Sequence, residues 1–183
     1  MINRIGALFL LVFISPIILI LCLLIIIFDG LPIFFIQKRI GKNNSTFLLY
    51  KFRSMKNNFD DIPTHMVKNP GSQLSRMGPF LRRYSFDELS QLVNIIKGDM
   101  NFIGPRPALY NQKDLILLRA EKKIDQLKPG VTGWAQVNGR DQLSIPEKVN
   151  MDKYYLDNKS VLLDTKIIFM TIKQLLFPKG ISH

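Results

Sequence analysis

The chain has 183 residues, and 25 Lys+Arg against 14 Asp+Glu give it a formal net charge of +11. That length suits one domain rather than two, and so basic a balance points to nucleic acid, an anionic membrane or phosphorylated substrates. No zinc-ligand spacing, RNA-binding aromatic motif or clear helix-turn-helix supports nucleic acid. The single cysteine, Cys22, excludes an intrachain disulfide and reads as a small packing residue.

Residues 5 to 28 carry no charge. At about 1.5 Å per residue such a segment is long enough for a hydrocarbon core of about 30 Å. It is too long for a signal-peptide core, and Phe28-Asp29-Gly30-Leu31-Pro32 is not a small-residue cleavage site. Ser15-Pro16 falls in mid-run. A proline there removes one backbone hydrogen bond, and a serine hydroxyl can satisfy the freed carbonyl. Basic residues flank both ends: Arg4 before, then Lys38, Arg39 and Lys42. The segment alone leaves two readings open, a kinked span with the bulk of the chain in the cytoplasm, and a re-entrant hairpin.

Residues 33 to 52 predict a β-hairpin, with Gly41-Lys42-Asn43-Asn44 as the turn and Thr46 to Tyr50 returning. Within it, Lys51 and Arg53 stand two apart, which on a strand puts both cations on one face, where they can meet phosphates or water. Residues 56 to 73 read as loop or weak helix. Leu74, Met77, Leu81 and Tyr84 fall near helical spacing with Arg76, Arg82 and Arg83 on other faces, and Pro79 starts or bends the segment. This is either a surface helix on a core or an interfacial helix against anionic lipid.

The clearest helix covers 85 to 97, where Leu89, Leu92, Val93 and Ile96 follow i, i+3, i+4, i+7 and Gly98 ends it. Ser85-Phe86-Asp87-Glu88 has the capping-box pattern. Acidic residues in a first helical turn commonly just complement the macrodipole. The same place also suits phosphate chemistry, with a carboxylate as nucleophile and its neighbour holding a divalent metal. Gly104-Pro105-Arg106-Pro107 presents one arginine between two restricting prolines, a fit for bidentate phosphate binding or an ordinary loop. Residues 128 to 140 are loop-rich, with Pro129, Gly130, Gly133, Gly139, the only Trp (Trp134) and the terminal Arg140. Trp134 reads as a core residue or a base-stacking one. A last helix covers 161 to 177, with Asp164 either capping it or serving the site.

In order along the chain, these motifs resemble the bacterial sugar transferase family, the small monotopic polyprenyl-phosphate phosphoglycosyl transferases. The resemblance rests on Ser15-Pro16, Gln37-Lys38-Arg39-Ile40-Gly41, Tyr50 to Met55, Ser85-Phe86-Asp87-Glu88-Leu89, Lys97 to Pro107, Pro129 to Arg140, and Tyr154-Tyr155 ahead of Leu163-Asp164. Two positions depart from the family pattern: the stretch before the apolar run is short, and Asn43-Asn44 stands where a glycine is more usual.

The resemblance implies an α/β, mainly helical fold. A re-entrant helix-break-helix broken at Ser15-Pro16 (1–32) would precede a catalytic domain (33–183) with a short β-hairpin and amphipathic interfacial helices. It implies Asp87 as nucleophile, Glu88 as its partner in binding Mg²⁺, and Lys51, Arg106 and Asp164 lining the site; Arg53 and Arg140 are further phosphate-binding candidates. The expected reaction moves a sugar 1-phosphate from a UDP-sugar to undecaprenyl phosphate through a phosphosugar-aspartate, releasing UMP. It would be the first membrane step of bacterial glycoconjugate assembly. The expected location is the inner membrane with the site facing the cytoplasm, and further expected partners are downstream glycosyltransferases or a second copy of the chain. Two competing readings are a non-catalytic membrane scaffold, and a membrane-attached nucleic-acid-binding protein favoured only by the charge.

Overall fold

A computed structural model describes residues 1–56, 73–139 and 142–177. Most of the segment expected as loop or weak helix at 56 to 73 lies outside these residues, as does Arg140. The described protein is mainly helical with a short antiparallel β-hairpin and one long apolar N-terminal helix. It divides into two compact units, one drawn from Met1–Gln37 and Leu48–Lys97, the other from Lys38–Phe47 and Gly98–Lys179.

In the first unit, helix α1 runs from Ile2 to Asp29 without interruption through Pro16, so the break expected at Ser15-Pro16 does not appear in the backbone. Proline has no N–H to give the carbonyl four residues back, that of Val12. The Ser15 hydroxyl donates to this oxygen at 2.8 Å, replacing the missing bond. Most of α1 is exposed, with Phe9 and Phe13 at 76%, but Ala7, Leu21 and Ile25 are buried. Leu21 and Ile25 form a core with Phe52 and Leu81.

Strands β1 (Phe34–Ile40) and β2 (Thr46–Phe52) pair as the hairpin, joined by a 3₁₀ turn at Lys42–Asn44. Asn43 and Asn44 both have positive φ there, which asparagine tolerates better than most residues, so the turn forms without the glycine. The segment at 74 to 84 departs from one amphipathic helix. Leu74 makes an isolated bridge with Met55, and helix α2 is only Gly78–Arg83. Pro79 in its first turn fixes the start.

The expected helix at 85 to 97 is two pieces, a 3₁₀ turn at Phe86–Gln91 and helix α3 at Leu92–Lys97. The expected capping box at Ser85 does not form. Ser85 is left-handed (φ 53°, ψ 27°), its side chain makes no cap, and the Glu88 N–H bonds its carbonyl instead.

In the second unit, β3 (Asn101–Ile103) and β4 (Gly130–Thr132) pair in parallel, Asn101 beside Gly130 and Ile103 beside Thr132. Backbones come so close here that a Cβ on Gly104 would strike the Lys128 carbonyl, and one on Gly133 the Gly104 carbonyl. The glycines expected to mark loop are therefore also contact points. Helix α4 is Lys113–Glu121, α5 Trp134–Val137, α6 Ile145–Asn158 and α7 Val161–Leu176. A capping box does occur at α6, where Ser144 and Glu147 exchange side-chain and backbone bonds. The Ser144 hydrogen bonds hold the Glu147 carboxyl below its ordinary pKa. Two cores fill the unit, one around Ala108, Leu115, Ile124 and Val149, the other around Val137, Tyr155 and Ile167.

Candidate active site

The 3₁₀ turn carrying Asp87 and Glu88 is fixed to the open edge of β2. Ser90 Oγ donates to the Tyr50 carbonyl at 3.0 Å. Asn94, fully buried, donates to the Leu48 carbonyl at 2.7 Å and accepts from the Tyr50 N–H at 3.1 Å. Two polar side chains four residues apart thus stand in for a neighbouring strand, and the strand edge has its partners.

Lys51 follows on the same strand. Its Nζ lies 2.9 Å from Glu88 Oε1 and 3.6 Å from Asp87 Oδ2. All three side chains are largely buried, at 16%, 13% and 11% exposure in the order Lys51, Glu88, Asp87. Two adjacent carboxylates removed from water repel one another, and one shared ammonium offsets that repulsion. The structure therefore brings Lys51, Asp87 and Glu88 together.

Arg53 behaves differently. β2 ends at Phe52, so strand alternation does not carry on to Arg53. Its guanidinium donates to the carbonyls of Asp29 (2.5 Å), Gly30 (2.6 Å) and Leu31 (2.9 Å), at the carboxyl end of α1. The Asp29 carbonyl is one that a helix end leaves without an internal partner, Gly30 and Leu31 follow it, and a cation there also complements the macrodipole. Asp29 in turn accepts from the Arg76 and Met77 N–H groups at 2.7 and 3.2 Å.

Arg106 lies in the second unit. Its carbonyl accepts from Arg119 Nη1 at 2.8 Å, and the Pro107 carbonyl accepts from Arg39 Nη1 at 3.0 Å. Asp164, also in that unit, accepts from the Tyr155 hydroxyl at 2.8 Å. It does not cap α7, because Ser160 does so through the Leu163 N–H. Burial, then the Asp164 carboxylate, push the Tyr155 phenol well above its ordinary pKa. Trp134 stacks on Tyr154 (centroids 5.4 Å apart) with Lys166 Nζ 5.3 Å from its ring.

Sequence patterns did not reveal the pair Arg119 and Asp152. Arg119 Nε and Nη2 both donate to Asp152 Oδ2, at 3.0 and 2.6 Å. Burial raises the Asp152 carboxyl, against the lowering pull of Arg119. The partners stand 33 residues apart, and no local motif links them.

Residues 1–178 match the family described as bacterial sugar transferase. The chain belongs to the bacterial sugar transferase family. It is 40% identical to "Uncharacterized sugar transferase EpsL" of Bacillus subtilis (strain 168), over 97% of this chain and 87% of that protein. It is 35% identical to "Exopolysaccharide production protein ExoY" of Sinorhizobium fredii, over 93% of this chain and 81% of that protein. "UDP-glucose:undecaprenyl-phosphate glucose-1-phosphate transferase" of Escherichia coli (strain K12) is 36% identical, over 88% of this chain but only 36% of its own length.

No group of three or more His, Cys, Asp or Glu side chains able to hold a metal occurs among the described residues. Magnesium often uses only one or two carboxylates, with waters and substrate phosphates as the other ligands. Asp87 and Glu88 fit that donor set, with Lys51 now holding the place of a counter-charge.

Proposed function

We propose that this sugar transferase moves a sugar 1-phosphate from a UDP-sugar to undecaprenyl phosphate, with Asp87 as the nucleophile. The observation that carries the reading is the pair Asp87–Glu88, largely buried and ion-paired with Lys51, in a chain of this family. Relatives named for undecaprenyl-phosphate sugar phosphotransfer support the substrate pair.

An Asp87 oxygen would attack the phosphorus that bears the sugar. The bond from that phosphorus to the bridging pyrophosphate oxygen breaks, and UMP leaves. An oxygen of undecaprenyl phosphate then attacks the same phosphorus and the bond to Asp87 breaks, restoring the carboxylate. Lys51 supplies positive charge beside the entering phosphates, and Arg106 is a further phosphate ligand through its planar fork. Asp87 and Glu88 would hold Mg²⁺, which when bound neutralises phosphate charge.

The same reading places α1 as a re-entrant helix, with both ends on the cytoplasmic face of the inner membrane. A straight helix of 28 residues is about 42 Å long, enough to separate its ends by a bilayer. Yet Arg4 donates to the Lys97 carbonyl at 2.8 Å near one end, and Asp29 receives Arg76 and Met77 at the other. Both ends meeting one folded unit supports re-entry over a span.

The test is to incubate the enzyme with UDP-sugar and Mg²⁺ but no lipid acceptor, quench, and locate the adduct by mass spectrometry. A sugar phosphate on Asp87, lost in Asp87→Asn, is the expected result. An adduct on Glu88, or an active Asp87→Asn enzyme, overturns the assignment.

A further inference from the structure

The four carbonyls from Pro105 to Ala108, around Arg106, are each held. The Pro105 carbonyl accepts from the Gly130 N–H at 2.9 Å, and the Ala108 carbonyl from the Ile40 N–H at 2.9 Å. Between them, the Arg106 and Pro107 carbonyls accept from the guanidinium groups of Arg119 and Arg39. Pro105 and Pro107 restrict the backbone on either side. The peptide oxygen of Arg106 itself is thus set by one side chain, Arg119.

Arg119 is set in turn. It projects from α4, is 12% exposed, and meets Asp152 of α6, which is 2% exposed. Two of its nitrogens converge on one Asp152 oxygen, which leaves Nη1 aimed at the loop. A guanidinium can do this because its donors lie in one rigid plane, so fixing two of them fixes the third. A buried ion pair is seldom a strong source of stability, since apolar residues of like volume do as well or better. The geometry here gives it a different use.

We propose that Arg119 and Asp152 are positioning residues for Arg106, together fixing the peptide that carries its phosphate-binding guanidinium. This inference rests on the reading of Arg106 as a phosphate ligand. Misplacement of a binding group by about 1 Å can cost on the order of 100-fold in kcat/KM, so the effect of losing this support is measurable.

The experiment is a mutant cycle on the full-length enzyme in lipid nanodiscs, reading KM for the UDP-sugar, kcat and the unfolding midpoint. Arg119→Lys keeps a cation for Asp152 but has one nitrogen and cannot also reach the Arg106 carbonyl. The expected result is a KM raised about 10-fold or more with kcat and midpoint little changed. The paired replacement Arg119→Met/Asp152→Leu removes the charges together, so it keeps the fold should Arg119→Lys not. It should show the same rise in KM at equal or higher stability, a combination that a merely structural pair would not give. In an Arg106→Ala background neither change should raise KM further. Arg119 effects that add fully to those of Arg106→Ala, or a folded Arg119→Lys enzyme with unchanged KM, overturn the positioning role alone. An Arg106→Ala enzyme with unchanged KM overturns the phosphate reading, and this inference with it.

Discussion

Replacing Arg53 separates two roles that its sequence neighbourhood does not. As a phosphate ligand beside Lys51 it would act on KM; as the clamp on α1 it acts on stability. The guanidinium makes three hydrogen bonds to main-chain oxygens, and Arg53 as a residue is 7% exposed. Hydrogen bonds to charged groups contribute about 1.5–3 kcal/mol each. Three on one cation are less than additive, so Arg53→Met should cost roughly 3–5 kcal/mol. For a chain of this size that lowers Tm by roughly 6–20 °C. Arg53→Lys keeps the charge at the helix end but not the fork, and should recover about half of the loss. The assay is thermal unfolding in detergent by far-UV circular dichroism, with kinetics taken well below each midpoint. The KM for UDP-sugar should then stay within about twofold of wild type. An Arg53→Met enzyme with unchanged Tm and a raised KM would refute the clamp and restore the phosphate reading.

Two further outcomes are expected. Lys51→Met removes the cation between Asp87 and Glu88, so it should depress kcat yet tighten divalent binding, read as Mn²⁺ affinity by electron paramagnetic resonance. Weaker or unchanged Mn²⁺ binding would show that the two carboxylates are not the metal's ligands. For α1, single cysteines at Asn3 and Lys56 in a Cys22→Ala background should label with impermeant maleimide from the same, cytoplasmic side. Labelling from opposite sides would establish a span.

Much of the fold follows from local patterns. The hairpin was legible because Gly41 to Asn44 concentrates turn residues between extended runs, and α7 because its apolar residues run unbroken by proline or glycine. The pair at 87 and 88 stood out as acidic residues opening an apolar periodic stretch. The capping-box pattern at Ser85 fails for a physical reason. Ser85 is spent turning the chain between α2 and the 3₁₀ segment, and its left-handed backbone takes its hydroxyl away from the cap. Ser144-Ile145-Pro146-Glu147 carries the same pattern with a proline in the first turn, and there the box forms. Strands β3 and β4 have three residues each, too few for alternation to register. Arg119 and Asp152 are polar residues on two helices, and only tertiary packing makes them partners.

Strand β2 ties these parts of the first unit together. Leu48 and Tyr50 offer their outer edge to Asn94 and Ser90, which sets the turn bearing the carboxylates. Lys51 then reaches Asp87 and Glu88. Phe52, 1% exposed, packs with Leu21 and Ile25 of α1, and Arg53 closes on the end of that helix. Five residues between Leu48 and Arg53 therefore divide the work, some holding the apolar helix and the others the turn with the carboxylate pair. A shift of β2 by one residue would move Lys51 off the carboxylates and Phe52 out of the core together, since side chains alternate along a strand. The register that buries Phe52 against α1 is the register that sets Lys51 beside Asp87 and Glu88. Lodging of α1 and assembly of the charged site are, on this geometry, a single packing event.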